Sequence, residues 1–266
     1  MNLVPDFIKR ESRYDPDLAR RLNEEIEQEE KRKALKDKLI KKKTPEQKLS
    51  QAPPQTPPTV SATDDFWRIS NVNYRNGICT VDLAKALLDN GAAKTQDEWS
   101  RYREAVPQNG FYPGDMPFYH ALFTVLFKQK DKPESEEARA FIQEQMRNNW
   151  LTTLTRIAYQ PRGKDKIIHN FGTKDQYEVE ENIIGKNQVI EQADSKALEA
   201  LLGTSDVNKI KQVYNWINQT PVYIWRLNKK PENIDERVAR FFACSDWVYL
   251  GCWYPHCSRI LLSGYV

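Results

Sequence analysis

The sequence predicts an α+β domain over residues 64–266, set behind a charged helical arm (1–50) and a proline-rich linker (51–63). Three observations predict it. A charge-dense segment gives way to QAPPQTPPTVSATDD (51–65), whose four prolines favour an extended, semi-rigid chain. After Asp64, patterns of helical period dominate the first half, and patterns of period two take over from Trp150. Helices and strands come in runs, not in strict alternation, which argues against a doubly wound parallel sheet.

In the arm, Leu18, Leu22, Ile26, Leu35, Leu39 and Ile40 are the only large apolar side chains of residues 15–43. Glu24, Glu25, Glu27, Glu29 and Glu30 precede Lys31, Arg32, Lys33, Lys36, Lys38 and Lys41 to Lys43, an order that complements a helix dipole and permits i,i+4 pairing. The simpler reading is a solvated helix; the alternative is a coiled coil or docking on an acidic partner.

Within the domain, Val81 to Leu88 and Thr95 to Ala105 read as short helices separated by Asn90-Gly91, so the first half is expected to be mainly helical. Asp115 caps a helix running to Lys128, apolar nearly all round and therefore buried. Asp131 and Glu134 read as a capping box for a helix with Ala138, Phe141, Ile142 and Met146 on one face. Residues 150–159, 166–171 and 177–184 read as strands. Helices follow at 195–202, stopped by Gly203, and at 206–217. Residues 222–227, 237–243, 247–253 and 259–266 close the chain as strands, with Trp225 expected in the core.

Composition narrows the functional classes. Lys plus Arg number 40 against 37 for Asp plus Glu, too small an excess to make the whole molecule a polyanion binder. Of four cysteines, Cys79 stands alone while Cys244, Cys252 and Cys257 cluster, which is not a disulfide framework. Charges arrive by the sixth residue, without the apolar run of a signal peptide, and no run of membrane-spanning length follows. A soluble protein of a reducing compartment, without membrane insertion, is expected. Ten glycines, none grouped for phosphate binding, speak against the common nucleotide enzymes.

His120 falls in the most apolar helix and His169 in a strand, neither with a nucleophile or carboxylate at a catalytic spacing, so both read as core histidines. Glu178 and Glu180 read as an exposed strand face. Arg156, Arg162, Lys164 and Lys166 beside Tyr159 allow a nucleic-acid contact, for which a solvated hairpin turn is the simpler account. Cys244, Cys252, His256 and Cys257 have the chemistry of a zinc site, without the paired short-loop spacing of a zinc finger.

The last 29 residues differ from the rest. Lys, Glu, Gln and Met number 61 in the chain, so about seven belong by proportion after Arg237, and there are none. The stretch instead mixes Cys, Trp, Tyr, Phe, His, Asp and Arg, the composition of a contact surface in which flat aromatic side chains supply area at low entropy cost.

RVARFFACSDWVYLGCWYPHCSRILLSGYV (237–266) resembles the C-terminal variable region of the target proteins of diversity-generating retroelements, in particular those of tiny archaea and their viruses. The matching scaffold positions are Arg237, Val238, Arg240 and Phe241, then Ala243 and Ser245, Leu250 and Cys252, Pro255 and Ser258. In that family, adenine-directed randomisation of asparagine codons cannot yield Lys, Glu, Gln or Met, and those residues are absent here. It cannot yield Trp either, so Trp247 and Trp253 depart from the pattern, as does the ending Leu262-Ser263-Gly264-Tyr265-Val266. The resemblance implies a C-type-lectin-like fold and a non-catalytic, receptor-like protein needing no cofactor or metal. It also implies display of Phe242, Cys244, Asp246, Trp247, Tyr249, Gly251, Trp253, Tyr254, His256, Cys257 and Arg259 to an unknown macromolecular ligand, by expectation a protein. The alternatives are an intracellular interaction or nucleic-acid-associated protein using the arm and residues 156–166, and a metal site at the Cys/His cluster.

Overall fold

The computed structural model describes residues 57–107 and 110–254, with the backbone of Leu261–Tyr265. The expected arm (1–50) and the first part of the linker lie outside the described residues. The domain is α+β, built from two sheets and the helices between and beside them.

The first sheet holds β1 (Val60–Ala62), β2 (Phe66–Tyr74), β3 (Gly77–Leu87) and β11 (Leu261–Tyr265) in the order β1-β2-β3-β11, all antiparallel. Two expectations are corrected here. Residues 81–88, read as a helix, form the second half of β3 and a 3₁₀ turn at Leu88–Gly91. A strand forms because β3 is paired on both sides, Val81 standing between Ile69 of β2 and Tyr265 of β11. It is covered on both faces and so shows no alternation: Val81, Leu83 and Ala84 are buried, and the buried Asp82 takes a two-pronged ion pair from Arg68 across the register at 2.9 and 2.8 Å. The opening of the domain therefore supplies three strands of the four-stranded first sheet, not a helical run. Second, Val60–Ala62 of the expected linker pair with Ile69–Trp67, so ordered structure begins before Asp64.

Among the described residues five α-helices follow in chain order: α1 (Gln96–Ala105), α2 (Met116–Lys128), α3 (Pro133–Asn148), α4 (Ser195–Leu202) and α5 (Val207–Asn218). The capping box falls at α1, where Glu98 N–H donates to Thr95 Oγ1 and Thr95 N–H donates to Glu98 Oε2 at 2.7 Å. The box expected at Asp131 and Glu134 is not made; α3 starts after Lys132 without a side-chain cap, and Pro133 supplies the preset first turn. Asp115 caps α2 as expected, accepting from Phe118 N–H. That helix is sandwiched: Phe118 meets Tyr74 of the first sheet, while Tyr119 and Phe123 meet Phe241 of the second.

The second sheet has seven strands in the order β6-β5-β4-β9-β10-β8-β7. They are β4 (Leu151–Tyr159), β5 (Asp165–His169), β6 (Tyr177–Glu181), β7 (Gln188–Val189), β8 (Val222–Trp225), β9 (Asp235–Ala243) and β10 (Val248–Trp253). Every pairing is antiparallel except that of β8 with β10. Asp165, fully buried, fixes the β4–β5 turn by accepting from the amides of Gln160 and Ile183 and from Lys230 Nζ. The cations of 156–166 are largely engaged. Arg156 is buried, bonded to Gln96, Asp97 and Glu236, and stacked 3.4 Å from the Phe171 ring centre, while Lys164 and Lys166 pair with Glu181 and Glu178. Glu178 and Glu180 are exposed. No helix among the described residues is long and apolar enough to cross a membrane.

Candidate ligand-binding face

The chain from Pro221 to Tyr254 builds one half of the second sheet, and strand alternation divides its side chains between two faces. On β10, Val248, Leu250 and Cys252 point into the core, while Tyr249, Gly251 and Trp253 point away from it. The antiparallel partner β9 sets Phe242 opposite Tyr249 and Arg240 opposite Gly251. The parallel partner β8 sets Tyr223 beside Tyr249 and Trp225 beside Gly251. The outward face is consequently a sheet of rings. Phe242 stacks on Tyr249 at 5.8 Å, Trp150 meets Phe242 at 5.4 Å and Trp253 edge-on at 5.2 Å, and Tyr223 joins Trp247 at 5.4 Å.

Trp150, Trp225 and Trp253 are 43%, 44% and 39% exposed, values that set this cluster apart from ordinary core. Together with Phe242, Tyr249 and Arg240 they enclose a depression of about 290 Å³. Gly251 also lines it, and a Cβ there would meet only Trp225 Cβ at 3.5 Å, an ordinary contact, so the position accepts a side chain without a clash. Arg240 lies beneath the rings, donating from Nη2 to Tyr254 O at 3.0 Å; burial pulls its guanidinium down to about 10. Such a site offers broad apolar and π contact together with one cationic donor, Arg240.

The β9–β10 turn is pinned from below. Cys244 N–H donates to Trp247 O at 2.9 Å, and Asn218 at the end of α5 donates to Cys244 O at 3.1 Å. Asn218 is itself held by Arg147 of α3.

Of the residues expected at a display surface, Phe242, Cys244, Tyr249, Gly251 and Trp253 line the depression. Trp247 extends it through Tyr223, and Asp246 is exposed in the turn. Tyr254 stands apart: the Arg237 guanidinium lies 3.5 Å from its ring centre, and Arg237 is paired with Asp235. His256, Cys257 and Arg259 lie outside the described residues. Trp225 is a correction, since it is exposed on this face and not in the core. The register of β8 leaves Val222 and Ile224 to point inward, a division already visible in the alternation Val222-Tyr223-Ile224-Trp225. Trp150 joins the site only through the pairing of β4 with β9, and Arg240, a scaffold position in the resemblance, lies on the same face as Phe242 two residues along β9.

Among the described residues no cluster of three or more His, Cys, Asp or Glu side chains is arranged to hold a metal. Cys252, one of the four residues of the zinc alternative, faces inward with its Sγ 3.1 Å from Tyr159 Oη. Burial raises the Cys252 thiol and pushes that of Cys79 to about 11. Alkylation of the native protein by iodoacetamide at pH 8 is therefore expected to label Cys244 well before Cys252 and Cys79, read by peptide mass spectrometry. Equal rates for Cys244 and Cys252 would contradict the assignment of the two thiols to different faces.

The chain matches no protein-family model, and no curated protein or solved structure is detectably similar to it.

Proposed function

We propose that the domain is a non-catalytic binding module that presents the outward side of β8, β10 and β9, with the turn 244–247, to a macromolecular ligand. The observation that carries this is the division of one segment between two environments. Phe241, Ala243, Leu250 and Cys252, scaffold positions in the resemblance, are buried, while Phe242, Tyr249, Gly251 and Trp253, expected to vary, lie together on the opposite face. Changing the second set leaves the core packing of the first untouched. The segment is also tethered on both flanks, by β9 within the second sheet and by β11 within the first. Substitution of the outward-facing residues between those tethers costs little of the fold.

This reading takes the protein as a target protein of a diversity-generating retroelement with a C-type-lectin-like domain, supported by the α+β architecture and by the return of Leu261–Tyr265 to pair with Gly77–Leu87. The neighbouring DNA tests it. A reverse-transcriptase gene is expected nearby, with a near-copy of the codons for 238–266 that differs at adenines. Codons for Phe242, Tyr249 and Gly251 should vary between isolates while those for Phe241 and Leu250 do not. Uniform codons and no second copy would overturn the retroelement reading.

A further inference from the structure

A second cleft, sharing no residue with the aromatic depression, opens between the β2–β3 turn, α2 and the junction of α4 with α5, with a volume of about 220 Å³. It is cationic. Arg75 reaches it from the turn, Lys128 from the last turn of α2 and Lys209 from the first turn of α5, and no carboxylate lines it. Residues 120, 124 and 128 recur every four positions, so His120, Thr124 and Lys128 form one stripe along α2 that faces the cleft. A buried helix stripe is normally apolar, whereas here its two buried members, His120 and Thr124, are polar and it ends on the exposed Lys128.

Two of these groups are polar, buried and incompletely bonded. His120 is 4% and Thr124 7% exposed, and neither His120 Nε2 nor Thr124 Oγ1 has a hydrogen-bond partner among the described residues. Buried polar atoms are nearly always partnered, so two side by side on the wall of one cleft call for a reason. The other ring nitrogen of His120, Nδ1, lies 3.3 Å from Tyr214 Oη. If the phenol donates to Nδ1, Nε2 carries the ring proton and is a donor; if Nδ1 donates to the phenol, Nε2 is an acceptor. Burial, then the nearby Lys209 cation, pushes His120 down to about 4, so the ring is neutral at physiological pH. Asn73, from β2, adds an amide to the same wall.

We infer that this cleft binds a phosphate group, with Arg75, Lys128 and Lys209 supplying charge and the Asn73 amide a neutral hydrogen bond, while His120 Nε2 and Thr124 Oγ1, both enclosed, add theirs once a side-chain rotation uncovers them. Three cations around neutral donors match a dianion of tetrahedral shape better than a carboxylate, which has fewer acceptor oxygens and half the charge. Inorganic phosphate and an organic phosphomonoester share that chemistry; the cleft is large enough for either.

Titration calorimetry on the full chain at low ionic strength tests the inference, with sodium phosphate, glycerol 3-phosphate and sodium acetate as probes. Saturable one-to-one binding is expected for at least one phosphate probe and not for acetate, and the tighter of the two identifies the source. Arg75→Gln and Lys209→Gln should each weaken it by about tenfold. Lys130→Gln, at a lysine that packs on Phe127 outside the cleft, should leave it unchanged. Circular dichroism shows that each variant is folded, and Thr124→Val gives a fourth variant that keeps the shape while removing one donor. No saturable binding at millimolar phosphate, or equal loss in Lys130→Gln, would overturn the inference. The aromatic face plays no part in these readings, so failure here leaves the proposed function standing.

Discussion

Acidification from neutral pH to pH 4 is expected to cost about 3 kcal/mol of unfolding free energy through His120 alone. The folded-state value, about 4, lies below the ordinary 6.5, chiefly because burial disfavours the imidazolium and secondarily because of Lys209. Between those two values the unfolded chain holds a proton that the native state does not. The contribution is complete above pH 6.5 and is lost as the pH falls toward 4. His169 acts in the same direction, lowered first by burial, with its Nδ1 2.9 Å from Thr155 Oγ1 and its Nε2 2.9 Å from Ala200 O. Carboxylates held low by their partners, Glu98, Glu137, Glu181 and Glu191, enter only at the acid end of this window. Urea titrations at pH 7 and pH 4 of the native protein and of His120→Gln measure the effect. The variant should lose the larger part of the pH dependence; an unchanged dependence would contradict the burial of a neutral ring.

The second large effect separates neighbours on one strand. Phe241→Ala is expected to cost about 3–5 kcal/mol. Its ring is 1% exposed and lies 5.7 Å from Phe123, 6.0 Å from Tyr214 and 6.2 Å from Tyr119, so truncation opens a cavity where α2, α5 and β9 meet. Phe242→Ala and Trp225→Ala, on the opposite side of the same sheet, should each cost less than about 2 kcal/mol, because solvent already reaches both sites. Denaturant midpoints of the three single variants give the comparison. Equal losses would mean that both faces of β9 are core.

Residues differed in how openly they declared their places. The apolar circumference of 116–128 required a buried helix, and the structure sandwiches it between two sheets. The strands from Leu151 onward announced themselves by β-branched alternation. Phe66–Leu87 did not. In β3 Val81, Asp82, Leu83 and Ala84 are all buried, so the strand shows no in-out alternation, and only pairing with β2 and β11 decides for strand. β2 hides its alternation further with a bulge between Ile69 and Val72, where Asn71 takes a φ of 57°. Half of the aromatic face was visible in the composition of the last 29 residues. The other half, Trp150 and Trp225, comes from strands brought alongside by tertiary pairing, one of them parallel, which no local pattern encodes.

That the outward face tolerates variation while the inward one does not is the claim on which the account depends, and a pair of displayed libraries measures it. One randomises Phe242, Cys244, Asp246, Trp247, Tyr249, Gly251 and Trp253 together; the other randomises Phe241, Ala243, Val248, Leu250 and Cys252. Protease resistance of each population reports the folded fraction. Most members of the first library should remain resistant and nearly all of the second should be cleaved, because only the second opens cavities or buries polar groups beside α2 and α5. Comparable loss of resistance in both would contradict a display surface and make the aromatic face part of the core.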